Sequence, residues 1–212
     1  MDSNAKEKIL SRIKQALKTS VPVPFQEEGN EPMFTDSPDE PEVLFAENFT
    51  KLLGRFSFCE NTTDLSVQLK QLFQTQGLHN IYCKEPAILE TLNGKGMVIE
   101  PYNDLGTCDA SITSCEALVG RTGSILLSSA TGSGRTASIY APIHICIAYT
   151  NQVVFDIKDA LQRMRAKYGN ELPSLLTFAT GPSRTADIEK TLVVGVHGPK
   201  EVYCFLVQTP NA

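Results

Sequence analysis

The chain has 212 residues, 42% of them hydrophobic, which is enough for one sizeable core and too little for two full domains. No apolar run reaches the roughly 18 residues of a membrane helix, and the charged N-terminus lacks a signal-peptide h-region, so a cytoplasmic protein with no membrane span is expected. The formal net charge of −5 is uneven: residues 1–18 carry five basic and two acidic groups, residues 19–50 eight acidic groups and no Lys or Arg, and residues 51–212 fourteen of each. This balance argues against a nucleic-acid partner, which would require a basic face.

Ile9, Ile13 and Leu17, supported by Leu10 and Ala16, recur at helical spacing among basic residues. Residues 5–18 therefore read as an amphipathic helix within a first segment, 1–19. Its apolar stripe needs a partner: the body of the same chain, another subunit, which leaves a homo-oligomer open, or another protein. Residues 20–42 hold Pro22, Pro24, Pro32, Pro38 and Pro41 among acids, a composition that cannot bury enough apolar surface to offset ordering entropy, and read as a mobile linker.

The body, 43–212, alternates helix-like and strand-like segments. Val43 to Leu53 reads as helix, Arg55 to Glu60 as strand, Asp64 to Gln76 as helix and Asn80 to Cys83 as strand. Pro86 to Leu92 suits a short helix, Met97 to Glu100 a short buried strand, and Asp109 to Thr113 another strand. Gly123 to Ser129 and Ile143 to Tyr149 are rich in branched apolar residues and are the clearest strands. Ile157, Ala160, Leu161, Met164 and Tyr168 share one helical face. Leu175 to Ala179 and Val202 to Val207 supply late strands. The alternation predicts an α/β fold with a largely parallel sheet.

Cys59, Cys83, Cys108, Cys115, Cys146 and Cys204 are scattered, several inside apolar runs, with no CxxC or CxxxC pair. They read as buried free thiols, with no zinc-finger or ferredoxin-like spacing. No metal site and no iron–sulfur cluster is expected within the chain.

Gly132-Ser133-Gly134-Arg135-Thr136-Ala137 matches G-x-G-x-x-A after a strand. A dinucleotide turn must open a helix, whereas Pro142 interrupts here and Ile143, Ile145 and Ile147 continue as a strand, so a glycine-rich connection between strands is expected.

Gly181-Pro182-Ser183-Arg184-Thr185-Ala186-Asp187-Ile188-Glu189 follows the apolar run ending at Ala179. The loop is expected at the carboxyl end of a strand, the edge where open α/β sheets bind ligands. Gly181, Pro182, two hydroxyls (Ser183, Thr185) and the Arg184 guanidinium suit a small anion such as a carboxylate or phosphate. The structural alternative has Ser183 or Thr185 capping a turn and Arg184 pairing with Asp187 or Glu189. His197, in a glycine-rich turn, and His144, on the strand face opposite Ile143 and Ile145, are candidates for ligand orientation or acid/base work, or for a satisfied structural hydrogen bond. His79 reads as a surface turn residue.

GPSRTADIE (181–189), LVVGVHGP (192–199) and VYCFLV (202–207) closely resemble the C-terminal signature of the LUD domain family, of the lactate utilisation protein C type. ITSCEALVGRTGSILLSS (112–129) and GRTASIYAPIHI (134–145) resemble that family's segments before and after its central strand. The resemblance implies a Rossmann-like layered α/β fold akin to the sugar-phosphate isomerase and CoA-transferase group, with its ligand cleft at the strand ends. It also implies a part in L-lactate oxidation beside separate iron–sulfur subunits, which would carry the clusters. Relatives commonly carry Ala-Glu-Thr-Gly where this chain has Gly120-Arg121-Thr122-Gly123. If that glutamate acts as general base or nucleophile, this member either lacks the step or delegates it to Glu116, Asp187 or Glu189. If the position faces a ligand, Arg121 with Thr122 and Gly123 would join Arg135 and Arg184 around an anion.

Oxidising lactate takes a carboxylate clamp, a base and an electron acceptor; the chain offers the first two. The leading expectation is a subunit or accessory protein of a lactate-oxidation system, binding a small anionic metabolite or a partner. The alternatives are a stand-alone isomerase or acyl-transfer enzyme and a purely interactive protein working through its basic helix and acidic linker.

Overall fold

The computed structural model describes residues 3–16, 40–186 and 192–209, and the chain divides into two compact units, Met1–Ser37 and Pro38–Ala212. In the first unit, helix α1 (Ser3–Ala16) carries Ile9 and Leu10 exposed. Leu17 and most of the acidic linker lie outside the described residues.

The second unit opens with α2 (Pro41–Lys51), which starts on Pro41 at its first turn, where proline's missing N–H costs nothing. Then follow β1 (Arg55–Cys59), α3 (Thr62–Gln76), β2 (Ile81–Tyr82), α4 (Pro86–Asn93), β3 (Ala110–Thr113), β4 (Ala117–Val119), β5 (Ser124–Ser128), the one-turn α5 (Ala137–Tyr140) and β6 (Ile143–Tyr149). The chain closes through β7 (Val153–Val154), α6 (Ile157–Tyr168), β8 (Leu176–Ala179), β9 (Arg184–Ala186), β10 (Leu192–Val194) and β11 (Glu201–Val207). Local chemistry sets several boundaries. Asn61 caps α3 by accepting from the N–H groups of Thr63 and Asp64 at 2.9 and 3.0 Å, and Gly77 ends that helix in the left-handed region at φ 65°.

Five strands form a wholly parallel sheet in the order β1-β11-β6-β3-β2. Its residues alternate between two cores. Ile145, Ile147, Tyr203, Phe205 and Val207 face a cluster closed by Leu65 and Leu69 of α3 and Ile88 and Leu92 of α4. Cys146, Ala148, Val202, Cys204 and Leu206 face Phe45 and Phe49 of α2 together with Leu118, Ile125 and Leu127. The last three belong to a second sheet, ordered β7-β4-β5-β8 and mostly antiparallel, whose other face packs Ala117, Val119 and Leu126 on Ala160 and Met164 of α6. The fold is Rossmann-like and layered, as the resemblance implies, and it is α/β with a parallel sheet, as the alternation predicts.

Three expectations change. Residues 97–100 are irregular rather than a strand. The Met97 N–H caps α4 on the Leu92 carbonyl at 3.0 Å, and Met97 and Ile99 reach the core while Val98 stays 77% exposed. The strand after Gly123 belongs to the second sheet, not to the parallel one. The glycine-rich stretch 132–136 does join two strands, but with the one-turn α5 inserted before Pro142.

Candidate functional site

The loop after β8 lies on the amino edge of the parallel sheet, not on the carboxyl edge expected from its sequence. β8 runs antiparallel to β5, so its carboxyl end arrives at Thr180, whose Oγ1 is 2.8 Å from Ser124 Oγ. Gly181 (φ 79°) then passes so close to α2 that a Cβ there would stand 2.3 Å from the Leu52 carbonyl oxygen. The Ser183 N–H donates to the Pro199 carbonyl at 3.0 Å, the Gly195 N–H donates to the Ser183 carbonyl at 2.9 Å, and the Lys200 N–H donates to the Pro142 carbonyl at 2.8 Å. Pro142 and Lys200 directly precede β6 and β11, which fixes the edge.

Two sequence motifs, 181–186 and 195–199, are thereby tied into one knot. β9 pairs antiparallel with β10, Thr185 opposite Val193. Pro182 is buried, Ser183 half-buried and Arg184 exposed. Asp187 and Glu189 lie outside the described residues, as does the side chain of Thr185. Beside the knot is an open cavity of about 420 Å³ lined by Ile139, Tyr140, Pro142, Val196, His197 and Lys200. It presents an imidazole and an ammonium group over an apolar wall, a lining suited to a small anion with an apolar body. Lys200 and Tyr140 were not expected from sequence; the one signal for Lys200 is its place directly after Gly198-Pro199.

The other candidates lie elsewhere. Arg121 sits in the turn Gly120–Gly123 between β4 and β5, and its Nη2 reaches Asp156 Oδ1 at 2.7 Å. Asp156 is the N-cap of α6, so Arg121 fixes a helix start, and the guanidinium holds the Asp156 carboxyl below the usual carboxylate range. Thr122 occupies the same turn. Gly123 is required there: at φ 59° a Cβ would lie 2.5 Å from the Phe49 amide nitrogen. Arg135 is exposed and donates to Ser174 Oγ at 2.5 Å. His144 is 1% exposed, pairs through Nε2 with Thr113 Oγ1 at 2.8 Å, and is pushed down to about 4 by burial. It therefore stays neutral through the physiological range.

Glu116 is 4% exposed and accepts from Ser128 Oγ, Lys167 Nζ and Tyr168 Oη, each at 2.7 Å. Burial raises its pKa, but the bonds from Lys167, Ser128 and Tyr168 outweigh that, and the carboxyl ends below its ordinary value. A carboxylate so held is a weak base. A second buried carboxylate, Glu85, was not anticipated. Standing at the N-cap position of α4, it leaves its own helix uncapped and accepts instead from the Ser114 N–H at 3.0 Å and from the Ser114 and Ser133 hydroxyls at 2.5 Å each. It pins the glycine-rich connection, whose Gly132 would place a Cβ 2.9 Å from the Lys84 carbonyl oxygen. The only hint in the sequence is an acid directly before Pro86.

All six cysteines are buried. Burial pushes Cys59 up to about 12 and raises Cys83 and Cys108, and a bond to Cys146 together with burial raises Cys115. Such thiols stay protonated and act as small apolar residues. Among the described residues, no helix is long and apolar enough to cross a membrane.

The model of the LUD domain matches residues 87–207, more than half of the chain. Lactate utilization protein C of Shouchella clausii is 37% identical over 100 residues, 47% of this chain and 43% of that protein. Lactate utilization protein C of Deinococcus radiodurans is 33% identical over 107 residues, 50% of each. The chain thus spans about half the length of the curated relatives it matches. The crystal structure of a DUF162 family protein from Deinococcus radiodurans superposes with a TM-score of 0.58 at 19% identity, over 80% of this chain and 99% of that one, which shows a shared fold.

Proposed function

The chain belongs to the LUD domain family, and from that premise we propose that it is a subunit or accessory protein of a bacterial L-lactate utilisation system. It binds a small anionic metabolite in the cavity beside His197 and Lys200 and works with iron–sulfur partner subunits that supply the electron acceptor. The observation that carries this reading is the cavity wall itself: Tyr140 and Pro142 of one family segment and Val196 and His197 of another line it together with the Lys200 ammonium, and the bonds of Ser183 to Gly195 and Pro199 brace the second segment. The names of the relatives supply the pathway.

Within this reading the division of labour follows from the residues. Lys200 and His197 hold the carboxylate, Tyr140 and Val196 cover the apolar part, and the buried thiols serve packing rather than electron transfer. The chain is purified alone and mixed with iron–sulfur subunits of a lactate-oxidation system, and lactate-dependent dye reduction is followed in each. Turnover only in the reconstituted mixture, weakened at least about tenfold by Lys200→Ala, is the expected result, the tenfold being the order of one charge-assisted contact. Full turnover by the isolated chain overturns the subunit assignment, and unchanged activity in Lys200→Ala overturns the cavity.

A further inference from the structure

A larger groove, of about 970 Å³, opens at the carboxyl edge of the parallel sheet, remote in the fold from the amino-edge cavity. Its floor is Phe56, Phe58 and Leu206, and one wall is Val43 and Ala46 of α2. β1 is an edge strand, and the register Phe56↔Cys204 and Phe58↔Leu206 puts both phenylalanines on the sheet face that α2 covers. α2 turns Phe45 and Phe49 into the core, which leaves Val43 49% and Phe58 46% exposed along its flank. Two large apolar side chains side by side in a groove mark a contact surface more than scattered exposure does.

The rim settles the charge of the occupant. Glu40, Glu42 and Glu47 line the groove, and among the described residues its lining includes no Lys, Arg or His. Glu47 pairs with Lys51 at 3.3 Å, but both are exposed and the pair is weakly held. A small anion is repelled here, so this is not a second metabolite site. The shape favours a helix: the groove runs between an existing helix and an uncovered strip of sheet, the place a further helix would take in the same layer, at the usual 8–10 Å from α2.

We propose that this groove docks a basic amphipathic α-helix of a separate partner protein. The apolar stripe of that helix rests on Val43, Phe56 and Phe58, and its lysines and arginines face Glu40, Glu42 and Glu47. Such helix-in-groove recognition needs anchors at i, i+3, i+4 and i+7 and gains specificity from the charged rim. The proposal stands independently of the lactate reading.

The test uses the full chain and fluorescence anisotropy with a labelled 14-residue Leu/Lys amphipathic helix, against a Leu/Glu helix of the same pattern. Saturable binding of the Leu/Lys peptide alone is expected, weakened about tenfold by the double change Glu42→Lys and Glu47→Lys and by Val43→Asp, with unchanged circular dichroism. All three substitutions are on exposed or half-exposed positions of α2, so folding is preserved. Binding that the variants do not alter, equal binding of the Leu/Glu peptide, or no saturable binding overturns the proposal. A concentration-dependent dimer of the unliganded chain that Val43→Asp abolishes overturns it in favour of a second copy as the occupant.

Discussion

The ammonium of Lys167 stands 2.7 Å from Oε2 of Glu116, joining the last turn of α6 to the residue that leads into β4. The Glu116 side chain is 3% exposed and that of Lys167 55%, so the two are unequal partners. Removing the buried acid strands three donors, Lys167, Ser128 and Tyr168, while removing the lysine leaves Glu116 two hydroxyl donors. Glu116→Ala is expected to cost about 2–3 kcal/mol and Lys167→Met about 1 kcal/mol in urea unfolding. A family-based role of Glu116 as catalytic base requires instead that Glu116→Gln keep stability and lose turnover.

The same carboxylate gives stability a pH dependence. Its folded pKa lies below the unfolded value, so its contribution is fully present above the ordinary carboxylate pKa and fades as pH falls through the depressed folded value. Wild type is expected to lose stability in acid more steeply than Glu116→Gln, as read from urea midpoints between pH 5 and pH 3, values spanning the roughly 4.3 of an unperturbed glutamate.

His144 acts at higher pH. Burial pushes it down to about 4 from 6.5, so the unfolded chain takes up a proton that the folded one refuses. Its contribution to stability is constant above about pH 6.5, falls between there and about pH 4, and loses on the order of 3 kcal/mol across the window. His144→Gln, which keeps a partner for Thr113, is expected to flatten that slope. An imidazole resonance that titrates near 6.5 in the folded state would refute the assignment.

Glycine positions separate by what surrounds them. Gly181→Ala and Gly123→Ala meet backbone atoms at 2.3 and 2.5 Å in addition to positive φ, whereas Gly77→Ala, at φ 65°, meets nothing within 4 Å. The first two are expected to cost about 2–4 kcal/mol and the third about 1 kcal/mol, measured as shifts in Tm. Soluble, cooperatively folding Gly181→Ala with unchanged Tm would contradict the contact between this loop and α2.

Arg121 and Lys200 should behave oppositely. Arg121→Ala removes the pair with Asp156 at the start of α6 and is expected to lower stability by about 1 kcal/mol while leaving anion affinity unchanged. Lys200→Ala is expected to do the reverse. Isothermal titration with lactate and thermal melts on both variants read the two effects separately.

Most helices and the long strands were legible because each carries its own period or cap: Asn61 before α3, Gly77 after it, and the alternation in 143–149 and 202–207 that fills two cores. β4, β7, β9 and β10 were not, since each is two or three residues long and is held by its strand partners; β2, equally short, was legible only as part of the extended segment Asn80 to Cys83. Met97 and Ile99 show the converse, an alternation that buries side chains while the backbone stays irregular. At the site, the signature residues were visible, but their neighbours were not: Lys200 and Tyr140 line the cavity from segments about 60 residues apart.

The sequence by itself determined the family, the α/β alternation and the residues of the two signature loops, because local pattern and specific motifs are properties of contiguous residues. Only the tertiary structure decided that the loop after Ala179 lies on the amino edge, because the direction of β8 depends on its antiparallel pairing with β5, some 50 residues earlier. The same long-range packing sent Arg121 to Asp156, buried Glu85 and His144, and left an acidic groove open beside α2.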